Sequence, residues 1–186
     1  MTSTELLDAI AQRFACRAYA DTPVPTELLH AVAEAGVRAP SAVNRQPWRL
    51  SVITDRAELD TIDRVGMANL KLRDPAGYER VIGRGGRLLY NAPAMIVICA
   101  QVMETPYPVA WDVGIVASHL LLAATALGLN SVVAAMPGDG FAGETGAELK
   151  ARYIPEGFEF GLSVLLGYAA KPGTQHEPDF GKITYF

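Results

Sequence analysis

The chain has 186 residues, half of them hydrophobic and 19% charged, enough to bury a core and too apolar for a disordered or low-complexity protein. Its 16 basic and 20 acidic residues leave a formal charge of −4, and no basic tract interleaves with aromatics, which argues against a nucleic-acid partner. Cys16 and Cys99 lack Cys-x-x-Cys spacing and read as a loop thiol and a buried strand thiol in a reducing cytoplasm rather than as a bridge.

Thr2 and Glu5 stand at capping-box spacing ahead of Leu6, Leu7 and Ile10, predicting an amphipathic helix that ends near Gln12. Arg13 and Arg17 then flank a four-residue step. They read either as one solvated face of a longer helix or as two cations presented together. Asp21-Thr-Pro-Val-Pro25 breaks the chain, and Thr26 is placed to cap a second helix through Val37. In the stretch Ala39 to Trp48, Pro40 and Pro47 fix their own φ and push their predecessors towards extended backbone, which predicts an ordered loop. Ser41, Asn44, Arg45 and Gln46 bring donors and acceptors to the start of Trp48-Arg-Leu-Ser-Val-Ile53, a run that reads as a buried strand. Such a loop is either a connector satisfying its own backbone or a binding loop at a strand end.

Asp55 and Glu58 repeat the capping spacing for a helix through about Val65, and Gly66 to Asp74 reads as a loop containing Asn69. Ile82-Gly-Arg-Gly-Gly-Arg87 is no dinucleotide loop: no strand precedes it and its third glycine is out of register, so it reads as a flexible helix segment. Asn91-Ala-Pro93 introduces Ala94 to Ala100, a continuous apolar run expected to be a central strand covered on both faces. Trp111-Asp112 opens the longest helix pattern, Val113 to Leu127, closed by Gly128 and apolar around most of its circumference. One surface of so apolar a helix is expected to meet a second subunit. Ser118 and His119 interrupt it, and no basic stretch followed by an apolar core opens the chain, so neither membrane spanning nor secretion is expected. His119 has no histidine at ligand spacing, His30 and His176 being distant, and reads as a packing residue rather than a metal ligand.

Ser131 to Ala135 is a third strand candidate, followed by the turn cluster Met136-Pro-Gly-Asp-Gly140, a last helix from Gly143 to Tyr153 and a final strand from Glu159 to Tyr168. The tail from residue 169 to 186 ends in Ile-Thr-Tyr-Phe and is expected to pack along a neighbouring sheet edge or a partner subunit. No nucleophile elbow, His-Glu-x-x-His or P-loop pattern occurs. Hydrolysis and metal catalysis therefore lack support, which suits an enzyme whose cofactor carries the chemistry.

Ala39-Pro-Ser-Ala-Val-Asn-Arg-Gln-Pro-Trp48 resembles the Ala-Pro-Ser-x-x-Asn-x-Gln-Pro-Trp signature of the nitroreductase family of FMN-dependent oxidoreductases, and Leu166-Gly-Tyr168 with Lys171-Pro172 resembles its ending. Over nearly the whole chain, the resemblance implies an α+β fold: a mixed sheet of about four strands wrapped by helices, one domain over residues 1–186, homodimeric, with FMN in the cleft between subunits. It implies hydride passing from NADH or NADPH through FMN to a small-molecule acceptor, such as a nitroaromatic or quinone, by ping-pong exchange. Reductive dehalogenation, flavin fragmentation and non-enzymatic flavin binding stay open as alternatives.

The implied cofactor residues begin with Arg13 at the phosphate and Arg17 near the pyrimidine edge of the flavin. Phe14 and Ala15 stand where the family typically has Arg and Ser, leaving Ala15 to offer its backbone N–H. Pro40, Ser41 and Ala42 would hold the flavin and its ribityl-phosphate chain, with Asn44 orienting the cofactor or locking the loop. Asn69 would meet the pyrimidine, or serve as a turn residue. Pro137, which itself lacks an N–H, and Gly138 match the positions from which the family places backbone amides against the dimethylbenzene and N5 side. Lys171 would substitute for a further phosphate cation, where the register shows Gln175 and His176. Trp111 and Phe141 read as an aromatic wall over the flavin or as core packing.

Overall fold

The computed structural model describes residues 3–104 and 108–186; Thr2 of the expected capping box lies outside them. Among the described residues six α-helices and four strands follow in the order α1 (Ser3–Gln12), α2 (Thr26–Val37), β1 (Trp48–Ile53), α3 (Arg56–Arg73), α4 (Pro75–Ile82), β2 (Ala94–Gln101), α5 (Val109–Ala126), β3 (Asn130–Ala134), α6 (Ala147–Tyr153) and β4 (Phe158–Gly167). The strands form one sheet in the order β1-β2-β4-β3. Its three ladders are antiparallel, and a parallel bridge from Ala15 to Ser131 supplies the mixed component at the β3 edge.

Alternation along β2 builds a core on each face, because successive side chains point to opposite sides. Met95, Val97 and Cys99 join Leu59, Ile62 and Leu70 of α3, while Ile96 and Ile98 join Val32 of α2 and Val113, Val116 and Leu120 of α5. Covering on both faces explains why β2 reads as an unbroken apolar run. Gly36 of α2 admits the α5 helix, since a Cβ there would come 2.5 Å from the Leu120 side chain.

Several expectations are corrected. Pro25, not Thr26, is the N-cap of α2, its extended ψ of 139° turning the chain into the helix. α3 does not stop at Val65 but runs to Arg73, because Leu59, Ile62, Asp63, Gly66 and Leu70 continue one buried stripe. Packing along that stripe outweighs the roughly 1 kcal/mol that glycine costs within a helix. Asn69 is therefore a helical residue. The glycine-rich segment after Ile82 is a turn rather than helix, with Gly85 and Gly86 at φ 108° and 72°, values a right-handed helix cannot contain. β1 is an edge strand with Arg49 and Val52 exposed, not a buried one. The long helix begins at Val109, ahead of the expected Val113.

Local capping holds where the donor geometry is simple. Asp55 accepts from the Glu58 N–H at 3.1 Å, and Asp74 accepts from Gly77 N–H at 2.8 Å to start α4 behind Pro75. Asp63, buried on α3, accepts from the N–H groups of Leu88 and Leu89 at 2.7 and 3.0 Å, tying the approach to β2 onto the helix.

Candidate functional site

The segment after α1 is stitched into the end of the sheet rather than continuing the helix. Cys16 N–H donates to Ser131 O at 3.0 Å, Ala20 N–H to Tyr168 O at 2.8 Å, and Ala170 N–H to Ala18 O at 2.9 Å. Tyr19 is buried and donates its hydroxyl to Leu165 O at 3.1 Å. Burial pushes its phenol far above the ordinary tyrosine range, so it stays a proton-bearing donor. Burial also raises the Cys16 thiol, which donates to Ala18 O and is held in the unreactive thiol form.

This stitching leaves a cavity of about 310 Å³ lined by Phe14, Ala15, Cys16, Arg17, Ala18 and the tail segment Lys171 to Thr174. Phe14, Ala15, Arg17 and Lys171, expected from the sequence to share a site, do meet here; Arg13 precedes them on the same segment without lining the cavity. Phe14, standing where an arginine was expected, has a packing role: a Cβ on Gly173 would fall 2.0 Å from its ring, so only glycine lets the tail lie on that ring and bring Lys171 opposite Arg17.

Arg56, Arg73, Arg80, Arg87 and Arg152 each have a carboxylate within salt-bridge range. Arg13, Arg17 and Lys171 share with Arg38, Arg49, Arg64 and Arg84 the lack of a carboxylate within salt-bridge range among the described residues, and Arg17 and Lys171 differ from those four in lining this cavity. A polar cavity with uncompensated cations beside backbone N–H groups fits an anionic group such as a phosphate.

Farther along the same edge, β3 runs into a 3-10 turn, Met136–Phe141, and a second, Glu144–Gly146. Here the backbone N–H expected from Gly138 is engaged within the turn. Pro137 has no N–H, and the Gly138 N–H donates to Ala135 O at 3.0 Å. Pro137 is buried, and Gly138 lies flat on Phe160, whose ring atoms would be 2.7 Å from a Cβ. What the turn offers is a ledge without side chains. Asn69 reaches it from α3, its amide nitrogen donating to Asp139 O and Ala142 O, both at 2.9 Å, while its oxygen accepts from Thr145 Oγ1 at 3.0 Å. Arg73 adds two hydrogen bonds to the Asp139 carboxylate at 2.9 and 2.8 Å. Sequence reasoning missed Arg73, Asp139 and Thr145; the four-residue step from Asn69 to Arg73 was the available signal, hidden by reading this stretch as a loop.

The loop Ala39 to Trp48 contains a 3-10 turn, Ala42–Asn44, and three non-glycine residues at positive φ: Val43 at 48°, Asn44 at 53° and Gln46 at 49°. For β-branched Val43, which is 83% exposed, this backbone costs about 1–3 kcal/mol and is the kind of strain that gathers at ligand clamps. Ser41 Oγ accepts from Gln46 N–H at 2.8 Å, and Gln46 Nε2 donates to Asn44 Oδ1 at 2.9 Å. Asn44 and Ser41 thus lock the loop, while Pro40 and Ala42 stand exposed.

The loop is nowhere near the cationic cavity. Trp48 is level with Ala100 and Glu159, and Ser131, the partner of Ala15, is level with Leu166. At ordinary strand spacing and rise these diagonal corners of the sheet lie roughly 25 Å apart. Trp111 is 74% exposed, so it is not core packing within this chain, whereas Phe141 is buried and stacks on Phe160 with centroids 5.7 Å apart.

Comparison with known proteins matches residues 10–142 to the model of the nitroreductase family. A crystal structure of a nitroreductase with bound FMN from Desulfitobacterium hafniense DCB-2 superposes with a TM-score of 0.92 at 40% identity, covering 100% of both chains. A nitroreductase with bound FMN from Bacteroides fragilis NCTC 9343 superposes at 0.86 with 26% identity over 98% of each. A relative from Methanothermobacter thermautotrophicus, provisionally named NADH dehydrogenase/NAD(P)H nitroreductase, is 30% identical over 134 residues, 71% of this chain. The chain spans 61% of that relative's length, less than two thirds.

Proposed function

Because the chain belongs to the nitroreductase family, we propose that it is an FMN-binding oxidoreductase that takes hydride from NADH or NADPH and passes it, by ping-pong exchange, to a small acceptor such as a nitroaromatic or quinone. The observation that carries this reading is the set of uncompensated cations around the cavity of Phe14 to Ala18 and Lys171 to Thr174. Lys171 would take the phosphate end, with Arg13 adding charge from just outside, and Arg17, on the same cavity wall, would stand near the pyrimidine edge. When bound, FMN supplies the two-electron relay; the chain's own residues bind, orient and supply positive charge where reduction adds negative charge. The bound FMN of the Desulfitobacterium and Bacteroides structures supports the cofactor, and the name of the Methanothermobacter relative supports the nicotinamide donor.

The working form in this reading is a homodimer with FMN between subunits. Its support is the diagonal separation of the strained loop from the cationic cavity: one flavin can touch both only if they come from different copies. The exposed face of α5, with Ala110, Trp111 and Gly114, offers an apolar surface for a second copy. Phe180, Ile183, Tyr185 and Phe186 of the tail, between 54% and 117% exposed, would then pack on the partner. Purified protein loaded with FMN should be yellow and should oxidise NADH or NADPH when given a nitroaromatic or quinone. Failure to bind saturating FMN, or bound FMN that neither nicotinamide reduces in stopped flow, would overturn the assignment.

A further inference from the structure

Along α3 the residues Ile62, Gly66, Asn69 and Arg73 recur at steps of four, three and four, which places them on one stripe of the helix. Every one of them touches the turn that follows β3. A Cβ on Gly140 would lie 2.7 Å from Ile62 O, and one on Gly66 would lie 3.1 Å from Gly140 N. Here helix and turn meet backbone to backbone. Asn69 spends both amide hydrogens on Asp139 O and Ala142 O, and its oxygen takes the Thr145 hydroxyl. Arg73 closes the stripe with a bidentate grip on Asp139, whose side chain is 11% exposed against 61% for Arg73. An exposed arginine contributes little as a charge pair, but a planar fork on a nearly buried carboxylate fixes geometry.

We propose that Asn69 and Arg73 are positioning residues that act on the flavin through the two turns Met136–Phe141 and Glu144–Gly146, Asn69 holding them by backbone carbonyls and Arg73 by Asp139, rather than by contact with the cofactor. This rests on the FMN reading above. Asn69 has no amide hydrogen left to give to a flavin, and the ledge at Gly138 is set by what lies beneath it. The two side chains grip neighbouring atoms of one residue, so their effects are coupled.

A double-mutant cycle with Asn69→Ala, Arg73→Met and the pair tests this in the FMN-loaded protein and in the apoprotein. The readouts are FMN affinity by fluorescence titration, the position of the visible flavin bands, and hydrogen exchange of the amides from 138 to 146 without FMN. Each single variant should lower affinity about three- to tenfold, shift the bands the same way and speed exchange across the turn, and the double variant should be no worse than the more severe single. Arg73→Lys, keeping charge but losing the fork, should rescue only in part. Two results overturn the inference while leaving the FMN reading intact: Asn69→Ala alone weakening FMN with turn exchange unchanged, or strictly additive effects. A wild-type chain that binds no FMN overturns the functional reading itself, and this inference with it.

Discussion

Gly140 presses its α-carbon against the carbonyl of Ile62, so that a methyl group there would stand 2.7 Å from the oxygen. The oxygen belongs to a helix backbone and cannot rotate away. Gly140→Ala is therefore expected to cost about 1–3 kcal/mol, lowering Tm by about 2–10 °C in a chain of this size. Gly83→Ala, whose added carbon would meet nothing closer than 3.6 Å, should leave the folded chain unharmed or slightly stabilised. Thermal unfolding of the two variants side by side checks the contrast, and equal Tm values would refute it.

Asp63 makes stability depend on pH. Burial lifts its carboxyl above the ordinary aspartate value, with the N–H groups of Leu89 and Leu88 and the Arg87 guanidinium pulling the other way. A carboxyl whose folded value is raised binds its proton more tightly when folded, so its contribution favours the native state at low pH and is lost as pH rises from about 4 through the raised value. Asp63→Asn keeps an acceptor for both N–H groups without the charge. Its stability relative to wild type should climb with pH across that window and level off above it. Asp63→Ala strips the acceptor as well and should cost about 2–4 kcal/mol at pH 4, the difference narrowing as pH rises through the same window. Unfolding curves from pH 4 to 8 decide; a difference between Asn variant and wild type that is flat in pH refutes the titration.

Arg17→Ala should weaken FMN roughly tenfold or more and slow its reduction by the nicotinamide, since it removes a charge-assisted contact from the cavity. Arg45→Ala, on the exposed part of the strained loop, should change affinity by less than about threefold, as surface substitutions usually do. Titrations at two salt concentrations should show the wild type losing affinity as salt rises and Arg17→Ala losing less. The reverse ranking of the two arginines would mean that the loop, not the cavity, takes the phosphate.

Trp111→Glu places a carboxylate on the exposed face of α5. On the proposed dimeric reading it should leave the fold intact, convert dimer to monomer by sedimentation, and reduce FMN binding, the cleft then being shared by both copies. A variant that becomes monomeric yet holds FMN as tightly as wild type would sink the interfacial site.

Legibility followed the range of the forces involved. The Asp55 cap, the apolar run of β2 and the polar loop between Pro40 and Pro47 are written in neighbouring residues and were readable there. α3 was cut short at Gly66 because a glycine signals a break locally, while its reason here is the distant backbone of Gly140. β1 reads as a buried strand from its composition, while its edge position depends on which strands pair, and no strand encodes its neighbours. Arg13 and Arg17 were legible as a pair of cations; that Lys171 joins Arg17 depends on Gly173 lying over Phe14, a contact across most of the chain. Arg73 and Asp139 carried no local cue to one another.

The corner-to-corner placement of the strained loop and the cationic cavity has a genetic consequence. If each flavin site borrows its loop from one copy and its cations from the other, a copy damaged at Arg17 and a copy damaged in the loop are each inactive alone yet mend one another when mixed. Every hybrid then holds one whole site and one doubly broken site, so random exchange should restore about a quarter of the wild-type activity. Two inactive alleles of such a gene would complement.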